Sequence, residues 1–417
     1  MFDTMTPGSW REDLDWLAAA ILREHVRPHH TISPDGFRDV VASIRRRLPA
    51  LPGHAVPVAL ARLLAAIGDG HTAVWLHDVA GYGSLPVTIG LYEDGTWITG
   101  AAPEHADLIG CRLVAIDGVP IGTVLESLRP AVSRDNGFTV LARLPGLLVI
   151  PEVLHAVGVA HDPGSMRLAV VRSGGALETI RLDRFPGRLH LVSLESESTW
   201  RGNGFARVPG PVPTVHLRYD AVRDDPGRSL ADLFGRLFEV IKRDGIRRLI
   251  VDVRRNGGGN MALNAPLVDG LVRCERVNHP GGLFVITGRQ TFSAAMNLCA
   301  ALEQRTHARF VGEPTGTAPN HYGENGSLVL PNSQIAATVS TLFWQTSLPY
   351  DDRPWIAPDL PVAVTYADER AGRDAALEAI TGWVAGPDEL LHPSIRLLRR
   401  IGRADLLPSP DQPDRPG

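Results

Sequence analysis

Two apolar runs, each closed by a polar turn and then by a stretch of helical character, constrain this chain more than any other feature. The first is RRLIVDV (247–253), followed by the glycine turn RRNGGGN and a helical pattern from about 261 to 272. The second is GLFVITG (282–288), followed by a short polar turn and a helical stretch from Ser293 to about Glu303. Short apolar runs bounded by glycine suit strands buried on both faces. Helices following them imply a sheet covered by helices, with function at the strand-to-helix turns. TVHLRYD (214–220), the helix pattern SLADLFGRLFEVIKRDG (229–245) and ARFVGE (308–313) extend the same alternation.

The upstream chain reads differently. Three helices are expected in 1–72: one after Ser9 as N-cap, one opening with Ser33 and Pro34, and one ended by Gly68 and Gly70. The region 73–205 is strand-rich, with strands expected in TAVWLH, LPVTIGLY and TWITGAA. ADLIGCRLVAIDGVPIGTVLESL reads as turn, strand, tight Asp117-Gly118 turn, short strand and helix, and MRLAVVRSGG with LETIRL as a hairpin. Residues 194–212 are polar, Gly- and Pro-rich, and read as a linker or mobile loop. Four segments result: 1–72 helical, 73–205 strand-rich, 206–385 α/β, and 386–417 a helix with a proline-rich disordered tail.

Composition narrows the function. A chain of 417 residues with 44% apolar side chains can bury a sizeable core. A net charge of −4 without a concentrated basic stripe speaks against nucleic acid. No apolar stretch reaches the ~20 residues of a membrane span, and the N-terminus lacks a basic segment before its apolar part, so a cytoplasmic location is expected. Cys111, Cys274 and Cys299 form no zinc pattern, so neither metal nor cofactor is expected. Lys242 is the only lysine.

A serine at the start of a helix meets the positive end of the helix dipole, and the unbonded N–H groups there can receive an oxyanion. Ser293 has that position, and NGGGN offers backbone amides unobstructed by side chains. Alone, each has a plainer reading: a helix cap and a turn.

Taken in order, GDGHT (68–72), LIVDVRRNGGGN, GLFVITGRQTFSAAMNLCAALE, FVGEPTG and WIAPDLPVAV resemble the tail-specific, or C-terminal-processing, serine protease family over about 65–380. LIGCRLVAIDGVPI is similar to the PDZ-like module such proteins carry. The resemblance implies a crotonase-like (ClpP/crotonase) α/β protease core, a helical N-terminal subdomain and an embedded PDZ-like middle. It also implies Ser293 as nucleophile, with the amides of Ala294 and of Gly257 or Gly258 as oxyanion hole. VGEPTGTAPNHYGEN contains no lysine where many members carry their base, and arginine is too weak an acid to serve. The sequence therefore resembles the histidine-base branch, with the tricorn protease core and the interphotoreceptor retinoid-binding protein repeats, and His71 becomes the general base. That branch has a serine before the histidine, where this chain has Gly70. The orienting acid falls on Asp352, with Asp351 and Glu324 as alternatives, and Asn320 and Glu324 are candidates for the substrate cleft.

The expected function is a peptidase acting on peptides or proteins through an acyl-enzyme. A noncatalytic peptide- or apolar-ligand-binding protein on the same fold, and a serine esterase or thioesterase, stand as alternatives.

Overall fold

The structure is a computed structural model that describes residues 2, 5–185, 192–193, 202–383 and 391–407. The expected linker residues 194–201 and the tail 408–417 lie outside the described residues. The chain forms two units, Met1–Thr199 with His321–Trp344 and Ala363–Asp374, and Trp200–Asn320 with Gln345–Val362 and Ala375–Gly417.

In the first unit, helices Pro7–Glu24, Pro34–Arg47 and Val56–Ala65 follow the expected pattern. The first begins earlier than expected: Pro7 opens it and the Thr6 side chain accepts from the Ser9 amide at 3.1 Å, so Ser9 lies inside the helix. Ser33 caps the second as expected. The strand-rich region forms a seven-stranded sheet in which Val87–Tyr92, Gly95–Ala101, Arg112–Ile116, Ser165–Val171 and Leu177–Asp183 follow one another antiparallel. Two helices that alternation did not suggest, Gly137–Leu147 and Pro151–Ala156, interrupt it. The first starts with a capping box between Asn136 and Thr139. The stretch expected to be a strand from Thr72 to His77 is one only at Ala73–Val74. These two residues pair antiparallel with Ala336–Gln345, placing Ala73 opposite Thr338.

Asp13 ties the first helix to the turn of that distant hairpin. Its buried carboxylate accepts the Asn332 amide at 2.8 Å and the Ser333 amide at 2.9 Å.

The second unit holds a six-stranded sheet in the order Leu360–Pro361, Arg309–Gly312, Leu283–Thr287, Arg248–Asp252, Thr214–Arg218, Gly204–Val208. All neighbours are parallel except the edge strand Gly204–Val208, which occupies part of the expected linker. Strand periodicity divides the core. Leu249, Val251, Leu283 and Val285 face helices Leu230–Arg243, Ala265–Arg273 and Ala294–Arg305, with Phe234, Leu237 and Met296 among their neighbours. Ile250, Phe284 and Ile286 face the opposite way, onto Ala376 and Ile380 of helix Ala375–Thr381. Helices on both faces of a mostly parallel sheet make this unit α/β.

Asp13→Ala leaves two backbone N–H donors of the 331–334 turn without their carboxylate. It is expected to destabilise the protein by about 2 kcal/mol, read as a lower urea midpoint with an unchanged slope.

Candidate active site

Because Arg248–Asp252 and Leu283–Thr287 are adjacent and parallel, the segments that follow them leave the sheet at the same edge. They are bonded together there. The Phe292 amide donates to the Asn256 carbonyl at 3.0 Å, and the Thr291 hydroxyl to the Val253 carbonyl at 2.8 Å. The second segment ends at Ser293, at the N-cap position of helix Ala294–Arg305, with φ 54° and ψ −126°. A non-glycine residue held there stores on the order of 1–3 kcal/mol of backbone strain. Its side chain makes no capping hydrogen bond, so the half-buried hydroxyl is not consumed by the helix it precedes. The plain helix-cap reading of Ser293 is thus corrected: the position is that of a cap, the bonding is not. A strained strand-to-helix turn is a general way to present a serine hydroxyl outward.

The glycine turn lies against this serine. A Cβ on Gly258, whose φ is +105°, would sit 2.6 Å from the Ser293 Cβ and 3.0 Å from the Ala294 nitrogen. One on Gly259 would sit 2.2 Å from the Val222 carbonyl oxygen. Gly257 has an ordinary φ and open space around it. The three amides also differ in bonding. The Gly258 N–H donates to the Asn256 side chain at 2.9 Å, so it is already engaged. Among the described residues, the N–H groups of Gly257 and Ala294 have no hydrogen-bond acceptor.

Sequence reading missed what holds these groups. Asn256 is fully buried and also donates to the Tyr219 carbonyl at 2.7 Å. The Tyr219 hydroxyl donates to Asn264 at 2.9 Å, and Asn264 donates to the Ala294 carbonyl at 2.9 Å. Only the asparagine inside the glycine turn was a visible signal; Tyr219 and Asn264 look unremarkable in their own segments.

His71 belongs to the first unit. It follows the turn at Gly68 and is 4% exposed. Its carbonyl accepts from the Thr338 hydroxyl at 2.6 Å, and its ring stacks at 5.8 Å on His321. Burial pulls its pKa down to about 3; His321 and Arg143 push the same way, while Asp69 and the Tyr322 backbone oppose them. His71 is therefore a neutral imidazole at neutral pH. Arg143 lies 4.7 Å over the Trp75 ring and donates to the Gly70 carbonyl at 2.8 Å. Asp135 accepts the Gly70 amide at 2.8 Å. Gly70 is thus held through its backbone.

The candidate acids separate clearly. Asp351 is buried and accepts from the Ser347 hydroxyl at 2.6 Å and from Arg353 at 2.8 Å. Burial alone would raise its carboxyl, but Arg353 and Ser347 together hold it below the usual carboxylate range. Asp352, next along the chain, is exposed. Asn320 bonds the Leu348 and Asp351 carbonyls and the Ser347 amide, so its carboxamide acts as a clasp on that loop. Glu324 is exposed, with φ 57°. Lys242 is exposed in the last turn of helix Leu230–Arg243.

No family model and no curated protein matches this sequence. Among solved structures, mature CPAF aligns over 90% of this chain and 96% of its own, with 14% identity and a TM-score of 0.64. Mature CPAF complexed with lactacystin aligns over 94% and 98%, with 14% identity and a TM-score of 0.65. The photosystem II D1 C-terminal processing protease aligns over 89% and 97% at 14% identity, with a TM-score of 0.42. The two CPAF structures show that this chain has their fold. Among the described residues, no helix is long and apolar enough to cross a membrane.

Gly258→Ala meets both a left-handed φ and a rigid neighbour, and is expected to cost about 2 kcal/mol or more. Gly257→Ala, with neither, should stay within about 0.5 kcal/mol of the parent; chemical denaturation of the pair checks both. The His71 pKa also predicts a pH dependence. Since its folded value lies below the unfolded value near 6.5, the unfolded chain binds more protons between them, and stability falls as pH drops through that window. Between pH 6.5 and 4.5 the melting temperature of His71→Gln should therefore fall less than that of the parent.

Proposed function

We propose that this chain is a serine-type peptidase of the tail-specific protease family, working through an acyl-enzyme without a Ser-Lys dyad. The observation that carries this reading is Ser293: a strained serine, its hydroxyl not used as a cap, against Gly258 of the glycine turn and at the start of a helix whose first amide, that of Ala294, has no acceptor among the described residues. A surface turn has no reason to store such strain, whereas a nucleophile presented at a helix start does. The motif resemblance, and a fold shared with CPAF, support the same conclusion.

In this reading the Ser293 hydroxyl attacks a peptide carbonyl. His71 takes the hydroxyl proton as general base and returns it to the leaving amine as general acid. The Ala294 and Gly257 amides hold the oxyanion, and Gly258 serves by having no side chain where Ser293 and Ala294 approach. Asp352 is the acid that the motif resemblance assigns to orient His71; the Asp351 carboxylate is bonded to Ser347 and Arg353. Glu324 remains a candidate for contact with substrate, and Asn320 does not, since its carboxamide is spent on the loop at Ser347–Asp351. The crotonase-like core corresponds to the six-stranded unit. The PDZ-like module corresponds to about 85–130, where a strand pair, the left-handed Gly110 and helix Ile121–Leu128 follow in order.

Labelling with a fluorophosphonate probe tests the reading. One adduct is expected, mapping to Ser293 and absent from Ser293→Ala. Casein hydrolysis should fall at least about a thousandfold in Ser293→Ala and in His71→Ala, with melting temperatures close to the parent. A folded Ser293→Ala variant that still cleaves casein would sink the assignment.

A further inference from the structure

Asp69 lies two residues before His71, with a fully buried side chain. One of its carboxylate oxygens accepts the His71 amide at 2.7 Å, the Thr72 amide at 2.7 Å and the Ser340 hydroxyl at 2.9 Å. The other faces His25 Nε2 at 2.8 Å, and the His25 side chain is likewise fully buried. The state of His25 follows from its second nitrogen. His25 Nδ1 accepts the Arg27 amide at 2.9 Å, so it carries no proton, and the single ring proton sits on Nε2 and is donated to Asp69. A neutral histidine satisfies the carboxylate without cancelling its charge.

We infer that Asp69 and His25 are positioning residues for His71: Asp69 fixes the backbone of the base and supplies the buried negative charge that favours its protonated form, and His25 holds Asp69 in place without neutralising it. This inference rests on the proposed peptidase reading and goes beyond the acid assigned there, because Asp69 acts through the main chain of His71 and through its field.

The charged and titratable groups around the histidine support this division of roles. His321, on strand Asn320–Val329, and Arg143, on helix Gly137–Leu147, both oppose a charge on His71. Asp135, just before that helix, bonds the Gly70 amide and acts on Arg143. Asp69 alone among these groups acts directly on His71 in favour of its charge. Burial would raise the Asp69 carboxyl, but hydrogen bonds from His25, Thr72 and Ser340 outweigh it and keep it ionised. In the serine reaction the imidazole gains a proton while the Ser293 oxygen gains a bond. A buried anion beside it lowers the free energy of that step without touching substrate.

The test follows phosphonylation of Ser293 by a fluorophosphonate on the full chain. In that step the Ser293 oxygen bonds to phosphorus, fluoride leaves, and the serine proton passes to His71. Four proteins are compared: parent, Asp69→Asn, His25→Ala and His25→Gln, each with its melting temperature. Asp69→Asn, which keeps the shape and removes the charge, should lower the maximal inactivation rate at least about tenfold while the probe's half-saturation concentration changes less than about twofold. His25→Ala should also lose rate, and His25→Gln, whose amide can still donate to Asp69, should recover most of it. If Asp69→Asn fails to fold, the His25 pair decides by the same split. A folded Asp69→Asn with parental rate overturns the inference, as does a loss carried by half-saturation, or a His25→Gln no better than His25→Ala. A parent that forms no Ser293 adduct overturns the peptidase reading itself, a result distinct from these.

Discussion

Neighbouring parallel strands must release their following segments at the same edge of a sheet. In this protein that constraint applies to Arg248–Asp252 and Leu283–Thr287, and the proposed serine chemistry depends on it. Once the two segments emerge together, the glycine turn and the serine turn compete for the same space. The contest is settled by removing side chains from one of them. Gly258 carries none where a Cβ would strike Ser293, and Gly259 none where one would strike Val222. The buried carboxamide of Asn256 then fixes the turn by accepting the Gly258 amide and donating to the Tyr219 carbonyl. The asymmetry among three consecutive glycines follows: two are needed for close approach, and Gly257 keeps an amide without an acceptor.

The histidine loop is held by a different logic. The serine turn is positioned by sheet topology, whereas the His71 loop is positioned by one carboxylate that gathers two amides, a hydroxyl and an imidazole. A buried anion is costly unless it is well hydrogen-bonded, and Asp69 gathers four partners from groups far apart in sequence, from His25 to Ser340. Burial has a second effect there. It keeps His71 neutral, the form a proton acceptor requires, while leaving it a weak base that benefits from any nearby negative charge.

How much of this was legible in the sequence depended on whether a feature was local. The alternation of apolar run, turn and helix marks the strands Arg248–Asp252 and Leu283–Thr287 and the helix after Ser293 nearly to the residue, because period and punctuation are local properties. The helix cap at Ser33 was equally readable; the one at Thr6 was displaced because Pro7 was not recognised as the first helical residue. Helices Gly137–Leu147 and Pro151–Ala156 were hidden inside a region whose flanking strands dominate the pattern. Ser293, His71 and the glycines could be singled out as candidates from motif and position. Which glycine amide is engaged, which of Asp351 and Asp352 is buried, and the commitment of Asn320 to the Ser347–Asp351 loop depend on tertiary packing and hydrogen bonds that no periodicity encodes. Tyr219, Asn264 and His25 owe their importance to partners tens of residues away.

The pairing of Ala73–Val74 with the strand Ala336–Gln345 also sets an order in time. On the ribosome, His71 emerges long before its surroundings can exist. The Asp69 carboxylate lacks the Ser340 hydroxyl, and the His71 carbonyl lacks Thr338, until some 270 further residues have been made. The glycine turn and the serine turn need only segments already synthesised by about residue 316, where the Gly316 amide bonds the Thr291 carbonyl. A nascent chain therefore completes its serine half first and its histidine half last. Under the proposed mechanism, a protein made in this order carries no finished base while most of its own chain is still unfolded beside it.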